Sequence, residues 1–556
     1  MNVRHAAAVV AAAALLAGAC EPARTAAGVA AARSRLEHRW LFVWSDLSAP
    51  SEVDRVIARL PRAHADGFNG LVVPSHVDAG RAPALRDAAA ANGLDLVAIV
   101  MSGAADRNDV EGVPATDVPF LVNRGAATLR PDRSVGLLNG DFEASAGDHA
   151  AGWRQDGDGV TTFVDHATAH GGGASLRLDS ARISWFHHAR VTQQVTLQPH
   201  RQYHLSFWIK TVGLGAAAPE AAVRALDTLR PVSFQTFHVA PTQDWTRYDL
   251  VFNSFDATRV ELSLATTAAV AGRLWWDDVQ LEEVALVNVL RRPGCPVVVR
   301  GEDGTVYDEG RDYAPIADPA LNPWQAYHPP PAIGIPAGSR IRDGERLRVS
   351  FYHSIVVDDD RVTVCLSEPR VFDAWRADVR LANDRLHPAA FLMSHDELHV
   401  VNQCALCRSR GLTAGQLLAW NVRQAAAIIR DLRPDAGIWV WSDMFDPMHN
   451  AVDHYYAANG TLRGSWEGLD PDVGVVNWFG GLEGRNATFF AERGLRQMLA
   501  GYYDADDTGE GIDEWLDRTA RVPGIVGAMY TTWQDRYDAM DVWSSRAWGG
   551  GFFKHP

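Results

Sequence analysis

The sequence predicts an α/β protein: a (β/α)8 barrel of the TIM type, interrupted after its third strand by an inserted β-sandwich. Three observations predict it. From residue 36 onward, runs that are apolar throughout alternate with helix-like runs, the signature of a parallel sheet covered on both faces. The alternation stops near residue 135 and resumes near 346. Between them lie short alternating runs with turn signals, the pattern of antiparallel sheets.

The elements follow in order. "RWLFVWSDL" reads as a strand and "SEVDRVIARLPRAHADG" as a helix with Ser51 as its N-cap. "FNGLVVPS" is a strand, "PALRDAAAANG" a helix ending at Gly93, and "LDLVAIVMS" a third strand. Residues 36–134 are thus the first part of the barrel. Residues 135–286 form the sandwich, with strands such as "YHLSFWIKTV", "TRYDLVFNS", "RVELSLAT" and "RLWWDDVQLEEV". Residues 287–345 are rich in Pro and Gly and read as a β-rich connector. The remainder of the barrel spans 346–548. "LRVSFYHSIVV" and "RVTVCLS" read as strands, followed by a helix beginning at Pro369 and the strand "AAFLMSHDE". A helix capped by Thr413 leads to "GIWVWSDMFD". The stretches "LRGSWEG", "VGVVNWFGG", "LAGYYDA" and "GIVGAMYTTWQD" then supply further strand ends.

Charge and cysteines narrow the function. The formal net charge is −16, which opposes a polyanionic partner, so no nucleic acid is expected. No cofactor and no metal site are implied. Cys404 and Cys407 form "CALC", which is read as a local disulfide in preference to a metal site, although His395 and His399 lie close by. Cys295 and Cys365 are expected to be buried and unpaired, or paired with each other.

Reactive residues of a barrel come from the C-terminal ends of its strands. Here those ends carry Trp44 and Asp46, Ser75 and His76, His395, Asp396 and Glu397, Trp441 and Asp443, Trp466 and Glu467, Trp478, Tyr502 and Tyr503, and Trp533 and Asp535. An aromatic-walled pocket with several acids suits an oligosaccharide or polysaccharide: sugar C–H faces stack on rings, and hydroxyls donate to carboxylates.

Three stretches resemble known families. "LAGAC", after a basic Arg4-His5 and an apolar run, resembles a bacterial lipobox. Residues 1–20 would then be a lipoprotein signal peptide, with Cys20 lipidated and anchoring the protein to a membrane of the cell envelope, on the periplasmic or cell-surface side. Plain secretion is the alternative. "LLNGDFE", Gly152-Trp153 and "WWDDVQL" resemble carbohydrate-binding modules of the galactose-binding-like jelly-roll type, with Trp185, Phe186, His187 and His188 as a possible ligand face. "FLMSHDE", "VWSDMFD", "VVNWFGG", "LAGYYDA" and "MYTTWQDRYD" resemble, in order, the motifs of family-20 glycoside hydrolases, the β-N-acetylhexosaminidases. The resemblance implies Glu397 as general acid and Asp396 as the residue orienting the substrate's 2-acetamido group, whose carbonyl oxygen is the nucleophile. Tyr502 or Tyr503 would bond that oxygen, Trp478 and Trp533 would wall the pocket, and Asp443 would support the pair. Ser394 and His395 replace two glycines of the family pattern, and Trp533-Gln534-Asp535 replaces a Trp-x-Glu. Two alternatives stand beside this reading. One is a retaining glycosidase with two enzymatic carboxylates, Glu397 and either Glu467 or Asp443; the other is a non-catalytic glycan-binding surface lipoprotein.

Overall fold

A computed structural model describes residues 33–103, 106–156, 161–179, 190–267, 271–358, 361–478 and 484–549. Residues 1–32, with Cys20, and the stretch Trp185–His188 lie outside the described residues. Eight strands close into a parallel barrel: β1 His38–Phe42, β2 Gly70–Pro74, β3 Asp95–Val100, β4 Ala390–Met393, β5 Gly437–Trp441, β6 Val473–Asn477, β7 Gln497–Leu499 and β8 Ile525–Tyr530. Each strand pairs with its sequence neighbour in the barrel, and β1 pairs with β8.

The interior is filled by large side chains. Trp40, Phe42, Leu392, Trp439, Trp441, Met498 and Met529 point inward and are buried. Two glycines make room for the tryptophans. Trp40 stands opposite Gly70, and Trp439 opposite Gly474. A Cβ at either glycine would come within 2.3 Å of the facing indole. Glycine in a strand often marks such a close approach.

Helices cover the barrel. The first runs Pro50–Ala65, with Pro50 in its first turn and no side-chain cap at Ala49. Ser51, expected as the cap, lies inside the helix, because the proline already fits a position whose N–H has no helical acceptor. The helix Ala414–Leu432 starts as expected: Thr413 accepts from the Gln416 N–H, and the Gln416 side chain returns the bond. The helix Pro369–Leu386 precedes β4. Among the described residues, no helix is long and apolar enough to cross a membrane.

Between β3 and β4 the chain builds two further bodies. Strands between Arg154 and Val284 form two five-stranded sheets packed on a shared core that includes Phe142, Trp153, Phe207 and Trp276. The ends of this sandwich lock together, since Val279 N donates to Gly140 O at 2.8 Å and Trp153 Nε1 donates to Asn139 O at 3.0 Å. The second body differs from expectation. Val113–Asn123 and Arg346–His353 pair antiparallel as the centre of a six-stranded sheet with its own core. So "LRVSFYHS" is no barrel strand, and the connector belongs to this sheet. "RVTVCLS" is an irregular return segment, held by an isolated bridge from Val364 to Val110.

Candidate functional site

The alternation of β4 continues beyond its last residue. Leu392 faces the barrel interior, while Phe391 and Met393 face the helix layer. His395 shares their parity. It is 1% exposed, between the rings of Trp375 and Phe445, and its Nε2 lies 3.0 Å from Asn421 Oδ1. The Asn421 amide donates to Leu366 O, so its oxygen faces the imidazole and the proton is assigned to Nε2. Burial pulls the His395 pKa down to about 4, leaving the ring neutral. His395 was expected in the pocket and belongs instead to the packing behind it.

Asp396 has the opposite parity, and its charge acts on Asp443 at the end of β5. Burial raises the Asp396 pKa, against the pull of Arg361. Asp443 opens the 3-10 turn Asp443–Phe445 after β5 and is 3% exposed. Burial, and then the Asp396 charge, push its pKa well above the carboxylate range. Both shifts favour the protonated form over that of an ordinary carboxylate. Asp443 Oδ2 accepts from Glu397 N at 2.8 Å and from Asn450 Nδ2 at 3.3 Å. Its Oδ1 is buried with no protein partner.

Glu397 explains how two neighbouring acids share one mouth. Its φ is +47°, a left-handed conformation that costs a non-glycine residue about 1–2 kcal/mol. The chain turns there, the strand's alternation ends, and the half-exposed Glu397 carboxylate pairs with the Arg361 guanidinium. Arg361 and Tyr455 carry no motif and escape sequence reading. Tyr455 is buried, and burial followed by the Asp443 charge holds its hydroxyl protonated.

An aromatic wall completes the mouth. Trp533 lies 5.5 Å from Trp44, 6.0 Å from Trp478 and 4.8 Å from Phe42, measured between ring centroids, and Trp441 lies 5.7 Å from Trp478. Trp44, Trp478 and Trp533 are half-buried, above the buried Trp441. The Trp533 indole N–H is buried without a partner. At the rim, Gln534 Nε2 donates to the Tyr502 hydroxyl at 2.6 Å.

Besides His395, five expected residues are not brought into this constellation. Tyr503 is buried in the outer layer against Tyr530 and Trp543. Asp535 is exposed and pairs with Arg59 at 2.9 Å, on the first helix. Asp46 is exposed and accepts from the Ser48 N–H and hydroxyl, which lower its pKa. Trp466 and Glu467 sit on the short helix Ser465–Gly468, which packs on the helix Ala414–Leu432. Trp466 meets Phe489, and Glu467 is exposed. Its segment precedes β6 instead of ending a strand, so Glu467 does not stand opposite Glu397 as a second carboxylate of the mouth.

The sandwich reaches this side of the barrel. Its edge strand Pro231–Thr236 donates from Phe234 N to Val357 O at 2.7 Å, and Tyr456 bonds Asp358 through its hydroxyl. Val400 and Ala457, from the loops after β4 and β5, are part of the sandwich core cluster.

Comparison with known proteins bears on the sandwich. Residues 136–270 match the family described as a carbohydrate binding domain. Similar solved structures include TmCBM61 in complex with β-1,4-galactotriose, at 17% identity over 28% of this chain and 100% of that chain, with a TM-score of 0.22. The CBM22-1 xylan-binding domain from Paenibacillus barcinonensis Xyn10C is similar at 21% identity over 26% of this chain and 91% of that one, with a TM-score of 0.21. None of the curated proteins compared matches the chain. What the comparisons identify in this chain is therefore a carbohydrate-binding module domain over residues 136–270.

Proposed function

We propose that the protein is a glycoside hydrolase that takes a glycan across its carbohydrate-binding domain and the mouth of its barrel. On this reading the chain is a family-20-like (β/α)8 barrel with an inserted jelly roll. The observation that carries it is the carboxylate group at the ends of β4 and β5, where the partly buried Asp396 and the buried Asp443, both with raised pKa, stand beside the half-exposed Glu397, next to an aromatic wall. Glu397 protonates the leaving oxygen. Asp396, backed by Asp443, accepts from the 2-acetamido N–H and turns the substrate's carbonyl oxygen onto the anomeric carbon. Trp478 and Trp533 hold the sugar. Arg361 must leave Glu397 when substrate enters, because an ion-paired carboxylate is no proton donor. The lipobox-like leader extends the proposal to an enzyme anchored at the cell envelope through Cys20.

A second reading, glycan binding without turnover, is favoured by the Arg361–Glu397 ion pair itself. One experiment separates them. Aryl glycosides with and without the 2-acetamido group are offered to wild type and to Glu397→Gln. Hydrolysis of the acetamido set, reduced at least about 100-fold in the variant, is the expected result. Cleavage of the non-acetamido set alone would overturn substrate assistance in favour of an enzymatic nucleophile such as Asp443. No cleavage, with glycan retention intact in both proteins, would establish the binder.

A further inference from the structure

A second cluster lies away from the mouth, where the inserted bodies join the barrel. Glu111 follows β3 on the way out to the six-stranded sheet, Cys365 lies on the return, and Cys404 and Cys407 belong to the loop after β4. All four are buried, and one ligand atom from each falls within 4.8 Å of the others. Cys365 Sγ is 3.6 Å from Cys404 Sγ and 3.5 Å from Cys407 Sγ. A disulfide needs about 2.05 Å. Two thiolates bound to one tetrahedral zinc at about 2.3 Å stand about 3.8 Å apart. The spacing is that of ligands.

The surroundings fit the same reading. Glu111 Oε1 accepts from the N–H groups of Gln403 and Cys404, both at 2.7 Å, while Oε2 lies 3.3 Å from Cys407 Sγ. One oxygen is thus fixed by the backbone and the other is aimed at the sulfurs. The Cys407 N–H donates to Cys404 Sγ at 3.4 Å, which suits a charged sulfur in a C-x-x-C turn. Arg292, a fully buried cation bonded to the carbonyls of Asn108, Pro293 and Val110 and 3.5 Å from Glu368, adds positive charge close to Glu111, Cys365 and Cys404. His395 and His399, close in sequence, are packed elsewhere, against Phe445 and Tyr456.

We propose that Cys365, Cys404, Cys407 and Glu111 Oε2 bind one structural zinc ion, which ties the exit and return of the insertion to the loop that follows Glu397. The donor set has no open position for substrate. Cys295 stands beside it as an accessory thiol.

Full-length protein is purified after growth with zinc, dialysed, and assayed for bound metal, then reloaded with cobalt(II) under anaerobic conditions. The expected result is about one zinc per chain, and a cobalt spectrum with thiolate charge-transfer and intense tetrahedral d–d bands. Glu111→Gln and Cys407→Ser should each lose the metal, while Cys295→Ser keeps it. Should either variant fail to fold, alkylation mapping of chelated wild type gives the answer without it: Cys365, Cys404 and Cys407 should each be modified without reductant. A disulfide-linked peptide among them, or metal-free protein with free thiols, overturns the proposal. Loss of metal in Cys295→Ser with retention in Glu111→Gln overturns the ligand set.

Discussion

The two sides of the barrel mouth carry similar residues and treat them differently. On the β7–β8–β1 side Asp504, Asp535 and Asp46 are each engaged by the fold. Asp504 accepts from the Thr532 hydroxyl, from Trp533 N at 2.8 Å and from Gln534 N at 3.0 Å. Asp535 is held by Arg59, and Asp46 by Ser48. On the β4–β5 side, Asp443 keeps one buried oxygen without a partner, and burial together with the Asp396 charge raises its proton affinity. Acids at the ends of barrel strands become candidates for chemistry only where the fold leaves hydrogen-bonding capacity unspent.

The comparison can be broken by substitution. If the chain is the hydrolase proposed above, its largest consequence is catalytic: Asp443→Asn or Glu397→Gln should lower kcat/KM by about 10²–10⁴, whereas Asp535→Asn should stay within about twofold. Equal losses on both sides would erase the distinction. Stability should show the reverse. Asp504→Ala strands a hydroxyl and two backbone N–H groups and should cost about 2–4 kcal/mol in urea unfolding, while Asp46→Ala, at an exposed turn, should cost within about 0.5 kcal/mol.

Proton linkage sharpens it further. His395 stays neutral in the native protein down to about pH 4, while the unfolded chain protonates below about 6.5. Stability should therefore fall as pH drops through that window, by about 3 kcal/mol in total. His395→Phe should flatten that slope in unfolding measured between pH 7 and 5. Asp443 has the opposite sense. Its raised pKa means that the native protein keeps a proton the unfolded chain has lost, so its share of stability declines as pH rises above the ordinary Asp range. Asp443→Asn should remove that decline.

Legibility in the sequence followed the range of the interactions. Asp396, Glu397 and Asp443 could be read because strand parity and strand ends are local properties. The sandwich announced itself through motifs that lock to each other, Gly140 to Val279 and Trp153 to Asn139. "GSWEG" misled because a Trp-Glu pair resembles the other strand ends. A Cβ at Gly468 would lie 2.4 Å from Ala419 O, so that segment is a short helix pressed onto its neighbour. Arg361, Tyr455 and Glu111 gave no signal, since their partners arrive from distant segments. The six-stranded sheet was hidden for the same reason: its central strands, Val113–Asn123 and Arg346–His353, are separated by the whole sandwich.

That pairing bears on the order in which the molecule folds. β3 and β4 are neighbours in the barrel, yet about 290 residues of chain separate them. Closing a flexible loop of that length costs about 5 kcal/mol in chain entropy, against about 3 kcal/mol for an ordinary crossover of about 20 residues. The insertion removes the difference by itself. Val113 pairs with His353, so once the six-stranded sheet has formed, the outgoing and incoming chains emerge side by side and only short tethers remain to be closed. The inserted bodies should therefore fold ahead of the barrel and serve as the clasp that lets it shut, with the edge of β3 exposed until they do.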